Sequence, residues 1–80
     1  MKTVKVKLDT IDTVKEFVNV INRFDTDFDL VAGRYTIDAK SIMGIFSLDL
    51  SKEIDLLIHT DDEELWETIS PLLSKFSSQD

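Results

Sequence analysis

Residues 28–50 read FDLVAGRYTIDAKSIMGIFSLDL, and this stretch decides the fold. Its first part alternates. Phe28 and Leu30 fall on one side of an extended chain and Asp27 and Asp29 on the other. Tyr35 and Ile37 then face inward, with Thr36 and Asp38 outward. The spacing predicts strands over 27–32 and 34–39, joined by a tight turn at Ala32-Gly33 or Gly33-Arg34 that keeps the apolar faces matched. The pattern then breaks. Residues 40–50 carry Ile42, Met43, Ile45, Phe46, Leu48 and Leu50 around Gly44. That is too apolar for an ordinary surface helix and too short for a core helix. On a wheel of about 100° per residue, Ile45 and Leu48 share one side, while Ile42 and Phe46 share another with Met43 beside them. No one buried face holds all five. Either Ile45 and Leu48 anchor a short helix and leave Ile42, Met43 and Phe46 exposed, or the segment is not helical; the plainer reading is that a long loop or the last helix covers these residues. An exposed Ile, Met and Phe cluster reads as a contact surface. Gly44 costs such a helix about 1 kcal/mol relative to alanine and points to a close backbone approach.

Outward from this stretch, the same two periods recur. Val4, Val6 and Leu8 alternate with Thr3, Lys5 and Lys7, a half-buried strand over residues 3–8. Ile11, Val14, Phe17, Val18, Ile21 and Phe24 recur at three and four, an amphipathic helix over about 10–24 capped by Asp9 or Thr10. After residue 50, Ile54, Leu56 and Ile58 form a fourth strand, and Leu65, Ile69, Leu72, Leu73 and Phe76 line a last helix. Thr60 and Glu63 suit a capping box there, and Pro71 is expected to kink the helix. Trp66 falls off the apolar stripe, at a rim or in a binding face. The order is βαββαβα. Strands with one apolar and one polar face predict a single four-stranded antiparallel sheet with helices on one side, an α+β two-layer sandwich.

Composition bounds what such a domain does. Eighty residues make one domain, 1–80, near the size where a single core is marginal. There is no cysteine, so no disulfide or thiolate metal site staples it. A formal net charge of -7 argues against nucleic acid or an anionic membrane as partner. No run approaches the roughly 20 apolar residues of a membrane span, and no signal-peptide core opens the chain. A cytoplasmic domain is the expectation.

The segment Lys40-Ser41-Ile42-Met43-Gly44-Ile45-Phe46-Ser47-Leu48 resembles the regulatory-serine segment of HPr, the histidine-containing phosphocarrier of the bacterial sugar phosphotransferase system. The resemblance extends by pattern over the whole chain. It implies the open-faced βαββαβα sandwich with strand order 1-4-2-3. It also implies that Ser41 caps a short second helix and is a candidate site for an ATP-dependent kinase. Ile42, Met43 and Phe46 would then form a docking surface for phosphotransferase-system enzymes or a transcriptional regulator. The active centre departs from the family. Family members carry a Gly-Ile/Leu-His-Ala-Arg-Pro type sequence between the first strand and first helix; here the junction reads LDTIDTVKEF, without histidine, arginine or proline. It is about three residues shorter than usual.

His59 is the one histidine, and at the end of the fourth strand it lies at the far end of the sheet from that junction. Thr10 and Thr13 are weak hydroxyl acceptors, and Asp9 and Asp12 would repel an incoming phosphate. An aspartyl phosphate on Asp9 or Asp12 would need a metal and a lysine nearby. Ser41 has two readings: a plain N-cap, or a phosphosite favoured by the helix end and Lys40 and opposed by Asp38. Asp25-Thr26-Asp27-Phe28-Asp29 mimics the start of a calcium loop, but Leu30 stands where the glycine belongs and Thr36 where the glutamate belongs. The acids of His59-Thr60-Asp61-Asp62-Glu63-Glu64 suit the first turn of a helix better than a metal. No catalytic residue, metal or cofactor is implied. Two functions stand: a regulatory, protein-binding module that does not carry phosphate on histidine, and a phosphotransfer component with a non-histidine acceptor. Either is a monomer or a weak homodimer.

Overall fold

The structure, a computed structural model, describes residues 1–77. Strands β1 (Lys2–Val6), β2 (Phe28–Ala32), β3 (Tyr35–Asp38) and β4 (Ile54–Ile58) form one antiparallel sheet in the order β1-β4-β2-β3. Helices α1 (Ile11–Ile21), α2 (Ile42–Phe46) and α3 (Glu63–Leu73) complete the βαββαβα order, and a 3-10 turn over Ser74–Phe76 follows α3. This is the expected α+β sandwich.

The register puts the apolar residues in rows. Val4 lies opposite Leu56, which lies opposite Leu30, which lies opposite Ile37. Val6, Leu8, Phe28, Leu30, Ile54, Leu56 and Ile58 are buried from the sheet side. Val14, Phe17, Val18, Val20 and Ile21 of α1, Ile45 of α2 and Ile69 and Leu73 of α3 close the core from the other. Phe17 and Phe76 meet edge to face at 5.5 Å between centroids. Among the described residues no polar or charged side chain is buried, so the core is held by apolar burial, about 1.5–3 kcal/mol for each large aliphatic or aromatic side chain. The other sheet face carries Thr3, Asp29, Thr36, Asp38 and Lys5 bonded to Asp55, with Val31 and Leu57 half-buried among them.

Several local expectations are corrected. Tyr35 pairs with Ala32 and so sits on the helix side of the sheet, yet it is 69% exposed because no helix reaches that end. Ile11 is 62% exposed: it is the first residue of α1 and projects before the helix lies over the sheet. The cap of α3 is Asp62, not Thr60. Asp62 Oδ1 accepts the Glu64 and Leu65 N–H groups, and Thr60 Oγ1 accepts the Asp62 N–H one step earlier. A carboxylate there also faces the positive helix end. The hairpin turn is Gly33-Arg34, with positive φ at Gly33 alone, the requirement of a II′ turn. Pro71 lies inside α3, and Ser74 Oγ donates to its carbonyl as the chain tightens into the 3-10 turn.

Candidate functional site

The chain enters α2 through a set of short bonds that leave Ser41 as the N-cap. The Ala39 N–H donates to the Phe28 carbonyl, the Ser41 N–H to the Asp38 carbonyl at 3.0 Å, and the Lys40 N–H to Asp38 Oδ1 at 2.9 Å. Ser41 is extended (φ -92°, ψ 100°), and its Oγ accepts the Gly44 N–H at 3.2 Å. Its hydroxyl is exposed. The neighbouring cation is turned elsewhere: Lys40 Nζ donates to the Phe24 carbonyl just beyond α1 and lies 5.6 Å from the Phe28 ring centroid. A phosphate on Ser41 would sit at the start of α2 three positions after Asp38, whose carboxylate is held on the Lys40 N–H, and Lys40 would have to leave its carbonyl to answer it.

On α2 itself, Ile45 is fully buried and anchors the helix. A Cβ at Gly44 would stand 3.3 Å from Ile37 Cδ1, so the missing side chain lets α2 lie close on β3. That geometry turns Met43 outward at 77% exposure, with Phe46 at 41%. Ile42 corrects the wheel reading, which placed it with them in the open. It is half-buried and packs against the core, because a helix of five residues lying this close to β3 covers part of its first turn. Leu48, expected as an anchor, is half-buried too.

The junction before α1 holds hydroxyls rather than an imidazole. Thr10 is the N-cap: its Oγ1 accepts the Thr13 N–H at 3.0 Å and donates to Thr13 Oγ1 at 2.7 Å. The Thr10 hydroxyl thus serves as the cap and the Thr13 hydroxyl accepts its proton, and Asp9 and Asp12 stand exposed beside them. α1 packs against α2, so the junction helix and the Ser41 helix are neighbours. His59 is remote. Its Nε2 lies 2.7 Å from Asp29 Oδ2 at the end of the sheet where β1 begins, in a shallow cleft with Asp27 and Asp38. Among the described residues no three His, Cys, Asp or Glu side chains are placed to hold a metal ion. Trp66 is half-buried against the core with the Lys2 ammonium 5.7 Å from its ring, the rim position.

The family model for the phosphotransferase-system HPr component phosphorylation site matches residues 12–76. The chain belongs to the HPr family of the phosphotransferase system. The match begins at the second residue of α1, so β1 and the chain through Ile11 lie outside it, while Asp12 and Thr13 lie within it. Among solved structures, the phosphocarrier protein HPr of Bacillus anthracis is 31% identical over 89% of this chain and 92% of its own, with a TM-score of 0.64. The catabolite repression protein Crh of Bacillus subtilis, described as an intertwined dimer with a swapped domain, is 29% identical over 95% of this chain and 90% of its own, with a TM-score of 0.61. HPr-C-His of Thermoanaerobacter tengcongensis shares the fold at a TM-score of 0.72, with 24% identity over 100% of this chain and 99% of its own. No described helix is long and apolar enough to cross a membrane.

Proposed function

We propose that the protein is a regulatory, protein-binding member of the HPr family that works through α2 and does not carry phosphate on histidine. The observation that carries this reading is Met43, left 77% exposed on a helix whose other side Ile45 anchors in the core. A side chain that apolar and that open loses water favourably only against a partner. Phe46 widens the surface and Ile42 forms its half-buried margin. Ser41, exposed at the head of the same helix, is the candidate phosphosite. A dianion there would add charge beside Met43 and alter docking. The junction supports the same reading from the other side, since it contains no imidazole and its two threonine hydroxyls hydrogen-bond each other. Crh, described as a catabolite repression protein, supports a regulatory role on this fold.

The partners fitting this reading are phosphotransferase-system enzymes, an HPr kinase acting on Ser41, or a transcriptional regulator, met in the cytoplasm by a monomer or weak homodimer. No nucleic acid or membrane surface is called for by a chain of net charge -7. The test is the intact mass after incubation with the first phosphotransferase enzyme and phosphoenolpyruvate. No added phosphate is the expected outcome. An acid-labile phosphate would overturn it in favour of a phosphocarrier with an unorthodox acceptor near residues 9–13. The docking half is tested by Met43→Ala with Phe46→Ala in binding assays against those partner proteins; unaltered binding to all of them would remove it.

A further inference from the structure

We infer that the cavity between the C-terminal end of α2 and the β2–β3 hairpin receives a cationic side chain, arginine or lysine, from the protein that docks on α2. The inference rests on the docking reading and names the chemistry of the partner.

The cavity is about 400 Å³, within the range of roughly 300–1,000 Å³ typical of small-molecule pockets, so a single side chain enters it without filling it. It begins one residue beyond Phe46, with Ser47 and Leu48 in its wall, and so continues the exposed surface of α2. Leu48 and Ile54 give it an apolar floor. Tyr35 stands at its side on the helix face of the sheet, 69% exposed where no helix covers it. Nothing within the described chain uses that ring: it makes no aromatic or cation contact, although Lys2, Lys40 and Lys75 each lie over another ring. Among the lining side chains stand two carboxylates, Asp49 and Glu53, and one cation, Lys52; the Glu53 charge also acts on Lys5.

Each feature selects the same occupant. An anion would meet an excess of carboxylate in the lining inside a chain of net charge -7. A purely apolar side chain would fill the floor but press against both carboxylates and strip them of water. Arginine and lysine satisfy all three surfaces: their methylene stems lie on Leu48 and Ile54, and their charged heads meet the Tyr35 face and the carboxylates. Lys52 does not close the site. Its amino group is 4.0 Å from Asp49 Oδ2 with the side chain 78% exposed, a contact it can leave. Asp49 stays ionised, because hydrogen bonds from Ser51 hold its carboxyl below the usual range. A partner segment with an apolar residue for Met43 and Phe46 and a basic residue beyond it would engage both surfaces together.

The test is a nuclear magnetic resonance titration of the full, 15N-labelled chain with N-acetylarginine amide, repeated with N-acetylcitrulline amide, which has nearly the same shape and no charge. The expected result is saturable movement of the Tyr35, Leu48 and Glu53 amides with the arginine probe and none with citrulline. Tyr35→Leu should weaken the arginine response about two- to fivefold, the scale of an exposed cation–π contact. Glu53→Gln should weaken it as well; both residues are exposed, so neither variant threatens the fold. Equal responses to the two probes would overturn the inference. So would movements centred on Asp27, Asp29 and Asp38 at the other end of the sheet, which would mark diffuse attraction to acidic surface. Because this titration uses no partner protein, its failure leaves the α2 docking assays standing, and their failure leaves the cavity result standing.

Discussion

The Ser41 hydroxyl oxygen lies 3.2 Å from the Gly44 backbone nitrogen, and a Cβ built on Gly44 would lie 3.2 Å from that same oxygen. Cap and glycine are therefore one unit: the hydroxyl caps α2 in the space that a side chain at position 44 would crowd. Ser41→Ala removes the cap and is expected to cost about 1 kcal/mol, while Ser41→Asp, an equally good N-cap, should cost little. Gly44→Ala gains up to about 1 kcal/mol of helix propensity but crowds Ser41 and Ile37, so the two effects should largely cancel. The discriminating measurement is the double variant in urea unfolding. Losing the Ser41 hydroxyl should cost less with alanine at 44 than with glycine, and strict additivity would show that the hydroxyl and residue 44 do not share space.

Met43 and Ile45 are two residues apart on α2 and should behave as opposites. Met43→Ala is expected to change stability by no more than about 0.5 kcal/mol, because its side chain already meets water. Ile45→Ala empties a fully buried site and should cost about 2–5 kcal/mol. Urea midpoints of the two variants decide it. A large loss from Met43→Ala would mean that Met43 serves the fold and not a partner.

Phe76 ties the C-terminal turn to both layers. Its ring packs edge to face on Phe17, its carbonyl accepts the Lys7 N–H at 2.9 Å, and Ser77 bridges to Val6 beside it. Phe76→Ala should cost about 3–5 kcal/mol. A domain of this length has roughly 4–12 kcal/mol in hand, so the variant is expected to be largely unfolded near its wild-type melting temperature. Circular dichroism during heating checks this; a shift of only a degree or two would show that the 3-10 turn is dispensable to the core.

The fold was legible wherever burial follows a period. Val4, Val6 and Leu8, or Val14, Phe17, Val18 and Ile21, have one side in the core and sequence periodicity reports that directly. Periodicity could not report where an element runs past its cover. Ile11 and Tyr35 carry the spacing of inward residues, but each stands at the end of its element, beyond the reach of the other layer. Ile42 erred the other way, because a wheel holds no information about how closely Gly44 lets α2 approach Ile37. The same limit hid the cavity beside Tyr35. It is made by Tyr35, Leu48 and Ile54, which are adjacent only once β3, α2 and β4 are assembled. The cap of α3 was a competition between neighbours, and Asp62 prevailed over Thr60 because its carboxylate reaches two N–H groups.

Asp49 and Lys5 give the stability opposite dependences on pH. Asp49 Oδ1 accepts both the Ser51 hydroxyl at 2.6 Å and the Ser51 N–H at 3.1 Å, and these bonds favour its ionised form and lower its pKa. The unfolded chain binds the Asp49 proton near the ordinary value of about 3.9. The contribution of Asp49 is thus fully present above that value and disappears as pH falls through the lower folded one. Lys5 is the mirror case. Its hydrogen bond to Asp55 and the Asp55 charge raise its pKa, so its contribution is present below the unfolded value of about 10.4 and lost as pH rises through the folded one. Asp49→Asn should therefore lower the urea midpoint at neutral pH and converge with wild type in strong acid, while Lys5→Met should converge with it only in strong alkali. Both groups are exposed, so the midpoint differences will be small, and the direction of convergence is the observable. An Asp49→Asn difference that persisted unchanged into strong acid would assign its effect to packing in the Asp49–Lys52 turn rather than to charge.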